Sequence, residues 1–267
     1  MRQWPRILLN TSEIELWPGG LLRARSNADA RVLARAHTVL RRKRDGRYLA
    51  AVVPEGIQPL QPGWLRERGV DEALDGLDAL RTDRGFDIDA AAPLPLDRLL
   101  EHLHALDLDD TYGERTGLPL TAEPGALAFA GFDRYRRPLW LSAAATRGWT
   151  SLQRAAFVEG IVLDAISGYR SHDYQLGIFE RKLARGHIVQ QILTVNAAPG
   201  FSEHHGGKAL DIGTPGEPPA EESFEHTQAF AWLSANAGNF SWRMSYPRDN
   251  PHAIVYEPWH WLYCGNT

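Results

Sequence analysis

One cysteine in 267 residues, Cys264, constrains this chain more than any other feature of it. No intramolecular disulfide can form, so buried apolar surface must hold the fold. No thiolate cluster can form either, so any metal must be held by histidine and carboxylate. Apolar residues make up 43% of the chain and aromatics 10%, enough for a packed core. Cys264, in "WLYCG", is expected to be a small buried hydrophobe. The formal net charge of −4, with acids and bases mixed, argues against nucleic acid or an anionic membrane as a dominant partner. No apolar run approaches the roughly 20 residues that span a bilayer. The N-terminal "MRQWPRILLNTSEIELW" lacks a signal peptide's apolar core and cleavage site. As written, the chain is therefore expected in the cytoplasm, unless an export route invisible in the sequence takes it to the periplasm or beyond.

The length fits one large domain or two smaller ones. Residues 28–42 read as a helix capped by Asn27, with Val32, Leu33, Ala36, Val39 and Leu40 on one face. "RYLAAVV" reads as a strand, and "PLDRLLEHLHAL" as a second helix whose His102 and His104 point in different directions. The stretch "DLDDTYGERTGLPLTAEPG" is rich in turn residues and marks a boundary. Two regions follow: 1–120, an unassigned α/β part of unknown role, and 121–267. In the second, "ALAFAGFDRYRRPLWLS" predicts two short strands. Ser142 caps a helix carrying Trp149, Leu152, Ala156 and Phe157, and "IVLDAIS" is a buried strand. "YQLGIFERKLARG" and "ESFEHTQAFAWLSANAG" are helices; "SWRMSYP" and "AIVYEPWHWLYCG" close the chain as strands. This order predicts an α+β domain.

In "PGFSEHHGGKALDIG", an extended "GGKALDI" puts Gly207, Ala209 and Asp211 on one face. That face is bare apart from the carboxylate. His204 can fold onto the same side, and His205 stays open as an alternative. "YEPWHW" offers a third ligand, His260. Three protein ligands and one open position are what a catalytic zinc takes. Glu257 lies three residues before His260, on the opposite side of a regular strand, but Pro258 favours a break that would let both converge. Glu257 could then act on a water. Arg170, in "SGYRS", is the candidate cation for the substrate. Each residue also has a plainer role: His204 and Asp211 in a turn, Glu257 and His260 on an edge strand, Arg170 paired with Asp164 or Asp173.

"SEHHGGKALD", "SGYRSHDYQ" and "EPWHW" together resemble the signatures of the zinc D-alanyl-D-alanine carboxypeptidases of the VanY type. Those share a fold with lysostaphin-type peptidases and the hedgehog signalling domain. The resemblance covers about residues 125–267. It implies a small central antiparallel sheet with flanking helices, and one Zn2+ per chain on His204, Asp211 and His260. It makes Glu257 the catalytic base and Arg170 the residue engaging substrate near its terminal carboxylate and scissile bond. Ser202 and Gln175 match positions lining the substrate cleft, and His205 falls in a variable column.

The implied activity is removal of C-terminal D-alanine from peptidoglycan peptides or muropeptides, as a D,D- or L,D-carboxypeptidase. Two alternatives keep the site: an endopeptidase or D,D-dipeptidase, and a non-catalytic zinc-containing binding module. Glu257 separates them, since a binding module has no use for a base beside a metal-bound water.

Overall fold

The computed structural model describes residues 6–82, 86–109 and 111–265. The first five residues of the N-terminal stretch and Asp110 of the turn-rich stretch lie outside them. The chain divides into two compact units, one running to Leu94 and including Pro124–Phe129, the other formed by Pro95–Glu123 and the chain from Ala130 onward. No helix among the described residues is long and apolar enough to cross a membrane.

The first unit is an antiparallel meander. Its elements are β1 (Ile7–Asn10), β2 (Ile14–Pro18), α1 (Asn27–Leu33), β3 (Thr38–Arg42), β4 (Tyr48–Val53), β5 (Gly56–Pro59) and α2 (Val70–Thr82). The strands lie in the order β5-β4-β3-β2-β1, and Leu8 of β1 faces Leu127 in the first half of β6 (Ala126–Phe132). The helix expected over 28–42 ends at Leu33, and its cap is Ser26, whose hydroxyl accepts the Asp29 N–H at 3.0 Å. Val39 and Leu40 belong instead to β3, where they serve opposite faces of the sheet. Val39 packs with Val32 and Leu33 of α1, whereas Leu40 packs with Leu16, Val52, Ala73 and Leu77. A strand buried on both faces shows no alternation, and here its apolar pair fell in step with the helical period.

The second unit begins earlier than the boundary read from the sequence. α3 (Leu99–His104) and α4 (Tyr112–Thr116) belong to it. Leu99, Leu103, Tyr112 and Leu118 form one core with Ala198, Phe201, Tyr246 and Ile254. Gly200, at φ 86, allows this packing: a Cβ there would lie 2.3 Å from Leu99 Cδ1. The turn-rich composition of 107–125 marked a loop but not which core its neighbours join.

After the second half of β6 come β7 (Pro138–Leu141), α5 (Ala143–Val158), β8 (Asp164–Ser167), α6 (His172–Leu183), α7 (Val189–Leu193), β9 (Ala209–Gly213), α8 (Gln228–Asn236), β10 (Trp242–Met244) and β11 (His260–Tyr263). The sheet is antiparallel, in the order β10-β11-β9-β8, with helices around it. Ser142 caps α5, accepting the Ala145 N–H at 3.2 Å. Trp149, Leu152 and Ala156 pack on Leu210, Ile212 and Trp261, while Phe157 on the flank of the helix is exposed. Since Leu210 and Ile212 face this core, Ala209 and Asp211 are left to the opposite face. Three further expectations shift. Ser171 caps α6 one turn before the predicted start. The last strand is confined to β11, after a turn at Pro258 and Trp259. Cys264 is exposed rather than buried, because it lies just past the end of β11, where its Sγ meets Arg243 Nε at 3.0 Å.

Leu103 is 1% exposed. Leu103→Ala is expected to cost the second unit about 2–5 kcal/mol. A fall in the urea midpoint of that unit, with His204, Asp211 and His260 untouched, checks it; an unchanged midpoint would remove 95–123 from that core.

Candidate metal centre

His204 occupies a 3-10 turn, Glu203–Gly206, and Gly207 at φ 65 redirects the chain into β9. Asp211 is central in β9, and His260 opens β11 directly opposite it in the antiparallel register. Cross-strand partners on one face stand about 5 Å apart, so the register itself brings these two side chains together. The three residues are buried, and one donor atom from each lies within 4.8 Å of the others.

The donors fit a cation. His204 Nδ1 donates to the carbonyl of Gly168 at 2.7 Å, which turns its Nε2 lone pair toward Asp211 Oδ1, 3.3 Å away. That Nε2 is buried without a hydrogen bond. His260 Nε2 donates to Glu203 Oε2 at 2.8 Å, leaving Nδ1 facing the same Asp211 oxygen at 3.1 Å. Two imidazole nitrogens and a carboxylate oxygen thus converge, each imidazole oriented by an outer hydrogen bond, as metal-ligating histidines are. Burial works against charge at all three. It pushes His204 down to about 4, helped by Arg170. Burial also opposes the charge on Asp211, but His204 and His260 outweigh it and hold the carboxyl well below its usual range. On His260 burial is outweighed by Asp211 and Glu203, and its range rises to about 10.

The turn at Pro258 does what the break was expected to do. The Glu257 carbonyl accepts the His260 N–H at 3.1 Å, and Glu257 Oε2 comes within 3.8 Å of His260 Nδ1. The Glu257 N–H donates to the Tyr246 carbonyl at 3.0 Å. Burial pushes the Glu257 carboxyl up to about 7. Arg170 pairs with neither Asp164 nor Asp173. Its Nη2 donates to Asp211 Oδ2 at 3.1 Å, and its Nε is buried without a partner. Asp173 is held instead by both Nη atoms of Arg98, at 2.9 Å each, and by His102 Nε2 at 3.4 Å. His104 is exposed and takes no part.

His205 is as buried as His204 but does something else. Its Nδ1 donates to the Arg170 carbonyl at 2.7 Å, and its Nε2 accepts the Gly200 N–H at 3.1 Å. Both ring nitrogens are spent, and burial keeps the ring neutral.

A cleft of about 290 Å³ opens over the centre and takes in Arg170, Gln175, Ser202, Glu257 and the three donors. Gln175 Nε2 donates to the Ala197 carbonyl at 2.8 Å, and its Oε1 is buried without a partner. All seven residues singled out from the sequence therefore meet at one place. The reading missed Glu203, which holds His260, and Tyr246, whose ring lies 4.7 Å from the His260 ring. Glu203 had one signal, an acid directly beside His204; Tyr246 had none, being brought in by tertiary packing.

Residues 138–266 match the family described as VanY: D-alanyl-D-alanine carboxypeptidase. A putative carboxypeptidase of Bacillus subtilis (strain 168), YodJ, is 31% identical over 161 residues, 55% of this chain and 56% of that one. The bifunctional D-Ala-D-Ala dipeptidase and carboxypeptidase VanXYC of Enterococcus gallinarum is 28% identical, over 54% of this chain and 76% of its own. Among solved structures, an LdcB LD-carboxypeptidase superposes with a TM-score of 0.50 at 29% identity, covering 55% of this chain and 72% of that one. The chain spans little more than half the length of the Bacillus relative it matches.

Two outcomes follow from the geometry. His204→Ala should abolish stoichiometric Zn(II) binding, whereas His205→Ala should keep it and lower the unfolding midpoint; elemental analysis beside thermal melts separates them, and the reverse order would reassign the ligands. Metal-free His260 holds its proton up to about pH 10, so a metal on Nδ1 must displace it and affinity should rise with pH. Calorimetric titration in buffers of different ionisation heat should find about one proton released per Zn(II) at pH 7; no release would mean that Nδ1 is not a ligand.

Proposed function

We propose that this chain, whose residues 138–266 match the VanY D-alanyl-D-alanine carboxypeptidase family, is a zinc-dependent carboxypeptidase that removes C-terminal D-alanine from peptidoglycan-type peptides. His204 Nε2, Asp211 Oδ1 and His260 Nδ1 would hold one zinc, with donors of the kind zinc takes in catalytic sites. When bound, zinc supplies a water made acidic enough to ionise near neutrality and a Lewis acid for the scissile carbonyl.

The observation that carries the reading is the position of Glu257. Its carboxylate is buried in the cleft, 3.8 Å from the His260 nitrogen that faces the centre, and it makes no hydrogen bond to that ring. A carboxylate at this position can take a proton from the attacking water and return it to the leaving amine, and the burial that raises the carboxyl to about 7 in the metal-free site favours holding that proton. A binding module has no need of that group. Arg170, fixed by Asp211 and by its backbone bonds to His204 and His205, supplies positive charge beside the reacting carbonyl. Gln175 Oε1 offers a preset acceptor for a peptide N–H, and Ser202 lines the same wall.

Glu257→Gln should retain fold and zinc yet lower kcat by about 10²–10⁴-fold, measured as D-alanine release from muropeptides by mass spectrometry. A loss of less than tenfold would give the base role to another residue. Tetrapeptides and pentapeptides with a free C-terminus should be cut at the last bond and amidated ones spared. Cutting at an internal bond would favour an endopeptidase, and release of alanine from the free dipeptide D-Ala-D-Ala a dipeptidase.

A further inference from the structure

α6 carries a second polar residue into the cleft besides Gln175. Gln175 and Lys182 are seven residues apart, two turns, so they share a face of the helix and stand about 10 Å apart along its axis. Both line the cleft. Two carboxylates of the centre are already engaged, Asp211 by Arg170 and the imidazoles and Glu203 by His260, and the third, Glu257, forms no ion pair with Lys182. Lys182 meets only a neutral group. Its Nζ lies 3.4 Å from Asn196 Oδ1, and among the described residues no carboxylate forms an ion pair with it. It is half-buried, and burial holds its ammonium below the usual range; Glu257 and Arg170 are both within electrostatic reach. A partly dehydrated cation that no carboxylate pairs with directly is costly in the free protein, a cost that Glu257 offsets only from a distance, and an anionic group entering the cleft relieves it. Arg170 does not duplicate it, because one arm of its guanidinium is committed to Asp211.

We propose that Lys182 is a specificity-determining residue that binds a carboxylate of the peptide, separate from the groups met by Arg170. The assignment rests on the peptidase reading above for the nature of the ligand. A muropeptide stem offers two such carboxylates, the C-terminal one and the glutamyl α-carboxylate, and the chemistry at Lys182 suits either.

The test reads binding, not turnover. Zinc-loaded protein carrying Glu257→Gln is compared with the same protein carrying Lys182→Met or Lys182→Arg in addition. The ligand is L-Ala-γ-D-Glu-L-Lys-D-Ala, either unmodified, amidated at the C-terminus, or amidated at the glutamyl α-carboxyl. Calorimetry should show Lys182→Met weakening the unmodified peptide at least tenfold and Lys182→Arg no more than threefold. The amide for which the Met substitution no longer matters identifies the carboxylate held. Three results would overturn the proposal: Kd values within twofold for parent and Lys182→Met on every peptide, equal losses for Met and Arg, or no binding of any peptide by the parent. Cleavage by the protein without substitutions is scored separately. If it cuts none of the peptides while the Lys182 effect on Kd persists, the peptidase reading fails and the carboxylate site stands.

Discussion

The pairing of β9 with β11 is the constraint on which the rest of the centre depends. Asp211 and His260 are 49 residues apart in sequence and face each other only because their strands pair in one register. A slip of β11 by one residue would turn His260 to the opposite face, into the core of Trp149, Leu210 and Ile212 and away from Asp211. The apolar packing of α5 therefore protects the register and, through it, the polar site on the other side. Bulk on one face and bare positions on the other are two results of the same two-residue period.

Two adjacent histidines show how burial alone fails to define a role. His204 and His205 are both enclosed, and each gives one N–H to a carbonyl of the 168–170 segment. What differs is the second nitrogen. In His205 it accepts a backbone N–H and is satisfied; in His204 it faces a carboxylate with nothing between. An unsatisfied buried lone pair costs free energy in the metal-free protein, and a bound cation would relieve it.

The same histidines hold Arg170. Its N–H donates to the His204 carbonyl at 3.3 Å and its own carbonyl accepts from His205. Glu123 reinforces the segment from the other side, accepting the Tyr169 hydroxyl and the His172 N–H. Glu123 comes from the 95–123 stretch, which lies outside the region matched to the family. Part of what fixes the cationic wall of the site is therefore supplied by chain that the family motifs do not include, and Arg98 with Asp173 ties the same stretch to α6.

By itself the sequence determined the donor chemistry and most of the elements. With a single cysteine, only histidine and carboxylate were available, and three short motifs held His204, Asp211, His260, Glu257, Arg170, Gln175 and Ser202. The alternation in "GGKALDI" already separated Asp211 from its apolar neighbours, and Pro258 already implied the bend that brings Glu257 round. Local pattern misled where two periods coincide, as at Val39 and Leu40, and where a loop's composition hid the core its flanks join. Only the tertiary structure decided which histidine of the pair keeps a free lone pair, that Glu203 and Tyr246 stand against His260, and that Lys182 lines the cleft with a neutral partner and no ion pair. Those are properties of partners distant in sequence, and no spacing along one segment encodes them.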